Sequence, residues 1–151
     1  MNKLLYILIV IAVIIILAFF VMGMISQKGK ALGLKDGHLQ ACSSTDNCVI
    51  SEDIDGSSAT IEPLIFSEPK PVFMDRLKEA IGTMGGEIVT SDSSYIASTF
   101  SSGIFRFVDD VEFRVTNDQQ LHFRSSSRVG RKDFGANKKR IEQLKALLAD
   151  Q

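Results

Sequence analysis

The chain has 151 residues, 45% of them apolar and 23% charged, with a formal net charge of −1. That length suits one domain with an appendage and is too short for two independent cores. From Asp36 onward 18 acidic residues face 13 basic ones. With no aromatic-studded basic strand either, this balance argues against nucleic acid as a partner.

The first element is an apolar run. The 22 residues from Leu4 to Ile25 carry no charge, and 16 of them are Leu, Ile, Val or Phe. As a helix they extend about 33 Å at about 1.5 Å per residue, enough for a hydrocarbon core of about 30 Å. A cleavable signal has an apolar core of only about 7–15 residues and a small-x-small cleavage site. This run is longer, and Met22-Gly23-Met24-Ile25-Ser26 offers no clean site. Leu39-Gln40-Ala41-Cys42 has the look of a lipoprotein cleavage box, but it lies far beyond the run and Gln40 is large for that position. The expected organisation is a transmembrane anchor over 1–25, a polar linker with three glycines over 26–37, and one soluble domain over 38–151.

Sidedness draws on opposed signals. Lys28, Lys30 and Lys35 follow the run and Lys3 precedes it, which leans toward a cytoplasmic domain. Two cysteines in a short loop, a Ser/Thr-rich body and a three-residue N-terminal tail point the other way. These signals favour a single-pass membrane protein with its domain on the outer side; the cytoplasm is the alternative.

Cys42 and Cys48 are too widely spaced for a thioredoxin-like centre and lack the second pair of a four-ligand zinc site, although His38 and His122 are available. A local disulfide is the plain reading. No metal and no cofactor is expected. Charge is uneven: 36–68 holds seven acidic residues and no Lys or Arg, whereas 124–145 holds eight basic residues against Asp133 and Glu142. Either the two stretches dock or are simply solvated, or the basic one forms an anion-binding or lipid-facing patch.

Within the domain, Ala59 to Phe66 reads as a short strand bounded by Pro63. Phe73, Leu77, Ile81 and Met84 recur at helical spacing, predicting a helix over Val72 to Met84 that Gly85-Gly86 ends. Short strands follow at Glu87 to Ser91 and Tyr95 to Ser101. Phe105 to Thr116 alternates strictly. Its odd face carries Phe105, Phe107, Asp109, Val111, Phe113 and Val115, the pattern of a half-buried antiparallel strand. Leu121 to Val129 repeats the alternation. A three-residue loop pairs Val115 with Leu121, Phe113 with Phe123, Glu112 with Arg124 and Asp109 with Ser127. A five-residue loop would oppose Arg114 and Arg124, so the shorter loop is preferred. A last helix over Gly135 to Ala149, capped by Asp133, turns Asn137, Ile141, Leu144 and Leu148 to one side. The fold class is α+β: an antiparallel sheet of four or five strands, two helices, and the preceding transmembrane helix.

Asp109 stands out. A carboxylate on an apolar face must be paired, hydrogen-bonded or protonated. Ser125 and Ser127 are its register neighbours, with Arg128 and Asn137 close along the chain. These residues form either a structural network or a pocket for a small polar or anionic ligand, with Arg128 as a donor fork. Alternation sends Asp110 and Glu112 to the opposite face, so the three acids cannot share an ion without a bulge. No nucleophile elbow, zincin, Walker or dinucleotide motif occurs.

Four blocks carry a resemblance: Cys42 to Val49, Phe107-Val-Asp-Asp-Val-Glu-Phe113, Arg124-Ser-Ser-Ser-Arg-Val-Gly130, and Asp133 to Glu142. In this order, over roughly Leu39 to Leu148, the chain resembles the domain-of-unknown-function family 1499. That family has no settled activity, and its members are often found with membrane segments or in exported bacterial proteins. The resemblance implies that Cys42, Asn47, Cys48, Asp109, Asp110, Glu112, Arg124, Ser125, Ser127, Arg128, Gly130, Asp133, Gly135, Asn137 and Arg140 are motif residues. Ser43 and Asp46 stand where the family's pattern has prolines.

The function expected is a non-enzymatic envelope module that binds a small ligand or a partner protein near the membrane. Its candidate ligand residues are Asp109, Ser125, Ser127, Arg128, Asn137 and Arg140. A hydrolase or transferase using Asp109, Ser125, Ser127 and Arg128 is the alternative, weakened because no histidine lies near to activate a serine. A structural or assembly role is the third.

Overall fold

The computed structural model describes residues 2–52 and 61–149. Helix α1, Lys3–Gln27, is long and apolar enough to cross a membrane. The hairpin β1 (Leu34–Lys35) and β2 (His38–Leu39) follows, then β3 (Cys48–Ile50) and β4 (Leu64–Ile65). Helix α2, Lys70–Thr83, starts after Pro69. Then come β5 (Glu87–Ser91), β6 (Tyr95–Ser101), β7 (Val108–Val115), β8 (Gln120–Ser127) and helix α3, Ala136–Ala149.

Among the described residues the main sheet has six strands, in the order β3-β8-β7-β6-β5, with β4 also beside β8. All of its pairings are antiparallel. The α+β class is as predicted. The strand count is higher than four or five because β3 and β4 are fragments of two or three residues that share the outer edge of β8. Such short pieces carry no periodicity of their own. The first two residues of the strand expected over Ala59 to Phe66 lie outside the described residues.

The β7–β8 register is the one the three-residue loop requires: Val115 faces Leu121, Glu112 faces Arg124 and Asp109 faces Ser127. That loop has no glycine, and Gln119 takes the left-handed conformation instead, at φ 61°. The expected strand over Phe105 to Thr116 is shortened. Residues 105–107 leave the ladder, Arg106 has φ 54°, and strand pairing begins at Val108.

The main core lies between the sheet and the two domain helices. Phe73, Leu77 and Ile81 of α2 and Ile141, Leu144 and Leu148 of α3 pack on Val111, Phe113 and Phe123. Each such side chain contributes roughly 1.5–3 kcal/mol by leaving water. The opposite face, expected to meet solvent, is covered as well. Leu39, Ile50, Tyr95 and Ala97 cluster there with Ala31 and Cys42. The covering strap is the stretch read as a polar linker, together with β1 and β2. The sulfurs of Cys42 and Cys48 lie 1.98 Å apart, at disulfide distance, and hold the end of this strap to β3.

Candidate functional site

The site predicted around Asp109 assembles where α3 begins. Asp133 caps the helix: its carboxylate accepts from Gly135 N at 3.0 Å and Asn137 N at 2.8 Å. Burial opposes its ionisation, but these N–H groups outweigh that and hold its pKa below the usual value. Gly135 sits at φ 81°, where a side chain would be strained. The cap fixes Asn137 against the sheet with no exposed surface.

From there the polar groups close on one another. Ser125 Oγ donates to Asn137 Oδ1 at 2.5 Å, and Asn137 Nδ2 donates to Ser127 Oγ and to the Asn47 carbonyl, both at 3.0 Å. Arg140, one turn further along α3, donates to Asn137 Oδ1 at 2.8 Å, Ser125 Oγ at 3.1 Å and Asp109 Oδ2 at 2.6 Å. Its guanidinium also lies 4.8 Å from the centre of the Phe100 ring. The Cys42–Cys48 loop joins from the side: Asn47 Nδ2 donates to Gly130 O at 2.6 Å, and Ser127 N donates to Asn47 O at 3.0 Å. Asp109, Ser125, Ser127, Asn137 and Arg140 are therefore one cluster. An open cleft of about 410 Å³ adjoins it, lined by Met84, Phe100, Phe107, Asp109, Lys139 and Arg140 among others. That volume lies within the range of small-molecule sites.

Arg128 does not belong to this cluster, which corrects the prediction that it supplies the donor fork. It stands on the other face of β8, where its Nε and Nη2 grip Asp110 at 2.8 and 2.6 Å. Adjacency along the strand misled, because neighbouring strand residues point to opposite faces.

That second face holds the charges that strand alternation turns away from Asp109. Glu112 has no exposed surface and accepts from Tyr95 Oη at 2.7 Å, Gly33 N at 2.8 Å and Arg124 Nη1 at 3.0 Å. Glu52 accepts from Leu39 N at 2.6 Å and from Arg114 Nε at 2.8 Å, and pairs with Arg114 Nη2 as well. Burial works against the Glu52 charge, yet Arg114 and the Leu39 N–H outweigh it and its pKa is lowered. Burial raises the Tyr95 pKa, and the carboxylate of Glu112 adds to the effect. His122, beside Ser51 Oγ at 3.3 Å, is held below its usual pKa first by burial and then by the Arg114 charge. Among the described residues Arg124 Nε is a buried donor without a partner. The sequence signals for this network are the alternation that sends Asp110 and Glu112 to this face and the register that sets Glu112 across from Arg124.

Three of the eight basic residues in 124–145 pair with β7: Arg124 with Glu112, Arg128 with Asp110 and Arg140 with Asp109. The acidic stretch finds other partners, with Glu52 on Arg114 and Glu68 on Arg76. Among the described residues no salt bridge joins the two stretches, and their one charge contact is the electrostatic pull of Glu62 on Lys145.

Residues 38–148 match the family described as "Protein of unknown function (DUF1499)", more than half of the chain. A search of curated proteins gives no match.

Proposed function

We propose, from the premise that this chain belongs to the DUF1499 family of proteins of unknown function, that it is a single-pass, membrane-anchored, non-enzymatic module of the bacterial envelope. Its domain faces the periplasm, and the cleft beside Arg140 holds a small polar or anionic ligand. The cleft carries this reading. Lys139 brings a cationic group, and the paired Asp109 and Arg140 bring polar ones, to a hollow that Met84, Phe100 and Phe107 make partly apolar, the lining expected of a site that orients a ligand through a few polar groups.

Two contacts support a retained anchor. Val108 N donates to Ser26 Oγ at 3.1 Å, and Arg128 Nη1 donates to Ser26 O at 3.1 Å. The end of α1 thus satisfies polar groups of the domain, which cleavage there would strand. The cysteine pair supports an oxidising compartment.

The hydrolase or transferase alternative fares worse. Ser125 is fully buried and spends its proton on Asn137 Oδ1, and its other side-chain neighbour is the donor Arg140. No base is in contact with it, and His122 lies across the sheet with Ser51.

Thermal unfolding of the full chain in neutral detergent micelles tests the ligand reading. The probes are inorganic phosphate and short-chain phosphatidylglycerol, with short-chain phosphatidylcholine as the uncharged comparison. An anionic probe at about 100 times its dissociation constant adds about 2.7 kcal/mol, and Lys139→Glu removes most of that gain. Silence with every probe would leave the cluster a structural lock. Sidedness is read by a membrane-impermeant thiol reagent on intact cells. Labelling of Cys42 and Cys48 only after reduction supports the periplasm; labelling only after lysis counts against it.

A further inference from the structure

The β6–β7 loop carries an apolar group that the sheet does not use. Ser102-Gly-Ile-Phe-Arg-Phe107 turns away from the ladder and runs alongside α1. The Phe105 ring lies 5.2 Å from Phe19 and 5.1 Å from Phe20, centre to centre, and Phe107 lies 6.3 Å from Phe19. A β-carbon on Gly23 would stand 1.9 Å from the Phe105 carbonyl oxygen, so helix and loop backbones meet at a position only glycine permits. The loop closes on itself through Ser102 N to Phe107 O at 2.8 Å and Phe107 N to Ser102 Oγ at 2.9 Å.

Depth follows from the helix. Ser26 is level with the start of β7, because it receives Val108 N. Phe19 and Phe20 precede it by six or seven residues, roughly 10 Å along the axis at about 1.5 Å per residue. A span beginning at Leu4 fills a core of about 30 Å with about 20 residues and ends near Gly23. Phe19 and Phe20 therefore fall inside the apolar zone, and Phe105 falls beside them. Ile104, at the loop tip, is 76% exposed.

The surroundings suit a charged lipid surface. Arg106 is exposed next to the tip. Ser101, Val108 and Ser127 share one end of the sheet, and the β8–α3 loop leaves from that end with Arg131, Lys132 and the exposed Phe134. Basic residues beside apolar ones at a membrane surface meet anionic headgroups above and acyl chains below.

We infer that the domain makes a second membrane contact of its own: Ile104 and Phe105 insert into the outer part of the bilayer beside α1, under a rim of Arg106, Arg131 and Lys132 that faces anionic headgroups. The inference rests on α1 spanning the membrane. Exposed backbone is excluded from the hydrocarbon centre, so the loop stays at interfacial depth. The cleft at Arg140 shares Phe107 with this loop and so opens close to the lipid surface.

The chain has no tryptophan, so a single introduced one reports its own position. Full-length Ile104→Trp, Ile14→Trp and Ile65→Trp variants are reconstituted into phosphatidylcholine–phosphatidylglycerol vesicles whose acyl chains carry bromine near the headgroup or near the chain end. Ile65 is as exposed as Ile104 but sits on β4 at the far end of the sheet. Emission from Ile104→Trp is expected to fall about twofold with shallow bromine, as for a residue about 5–10 Å into the headgroup–acyl boundary, and less with deep bromine. Ile14→Trp is quenched more by the deep label, and Ile65→Trp by neither. An unquenched Ile104→Trp beside a quenched Ile14→Trp would overturn the inference and leave the anchor standing. If neither is quenched, the anchor and the inference fall together.

Discussion

On the helical face of the sheet, Asp109 meets one arginine, and its network ends in Asn137 and two serines under α3. On the strap face, Glu52, Asp110 and Glu112 each take an arginine of their own and two of them also take a backbone N–H. The covering layers differ too. One is a pair of amphipathic helices; the other is an irregular segment from the end of α1 to the Cys42–Cys48 loop. Irregular chain can therefore seal a face when charged side chains satisfy its backbone. Glu112 and Glu52 supply acceptors for the backbone N–H groups of Gly33 and Leu39.

Unpairing the strap face has the largest expected effect. Glu112→Ala leaves Arg124 buried without a counter-charge and frees Tyr95 Oη and Gly33 N. The expected loss is about 3–5 kcal/mol in denaturant unfolding, while the double variant Glu112→Leu, Arg124→Met recovers most of it. Failure of the double variant to recover would show that the hydrogen bonds to Tyr95 and Gly33 outweigh the ion pair.

A smaller effect comes from the cysteine pair, which ties the strap to β3. Reduction, or Cys42→Ser with Cys48→Ser, should cost about 2 kcal/mol for so short a loop. Hydrogen exchange should then rise first at Gly33 and Leu39, not on α3. The matching cut on the helical face is Asp133→Ala. It removes the α3 cap at about 1 kcal/mol and loosens Asn137 without touching the strap.

Acidity gives the mildest separation. His122 has a folded pKa below its ordinary value of 6.5, so folding favours the neutral ring. Its contribution is present above 6.5 and is lost as pH falls through the lowered value. Glu52, depressed below its ordinary 4.5, contributes above that value and loses its effect at still lower pH. Unfolding midpoints should decline between pH 7 and 5, and His122→Asn should flatten that limb while leaving the decline below pH 4.5 in place. An unchanged limb in His122→Asn would remove the ring from the account.

Much of the helical face was legible in the sequence. Strict alternation in β7 and β8, with loop parity, placed Asp109 opposite Ser127, and the spacing of Asn137, Ile141, Leu144 and Leu148 placed Asn137 under the helix. Arg140 came only through the family resemblance, although it lies three residues from Asn137 and so shares its face. Arg128 follows Ser127 along the chain, but strand parity turns it to the other face, onto Asp110. Phe105 and Phe107 extended the apolar alternation of β7, but the rings they meet belong to α1, and no strand pattern encodes a partner so distant. The strap was unreadable for a related reason: it is positioned by Glu52, Glu112 and Arg128, and it has no period of its own.

The proposed role of α1 as a membrane anchor requires that the helix stay on the domain. Intact-mass analysis of the protein extracted from membranes tests it most directly. A species that still includes α1, resists alkaline carbonate and leaves the membrane only with detergent is the predicted result. A shorter species that has lost α1 and sediments with the soluble fraction would contradict it.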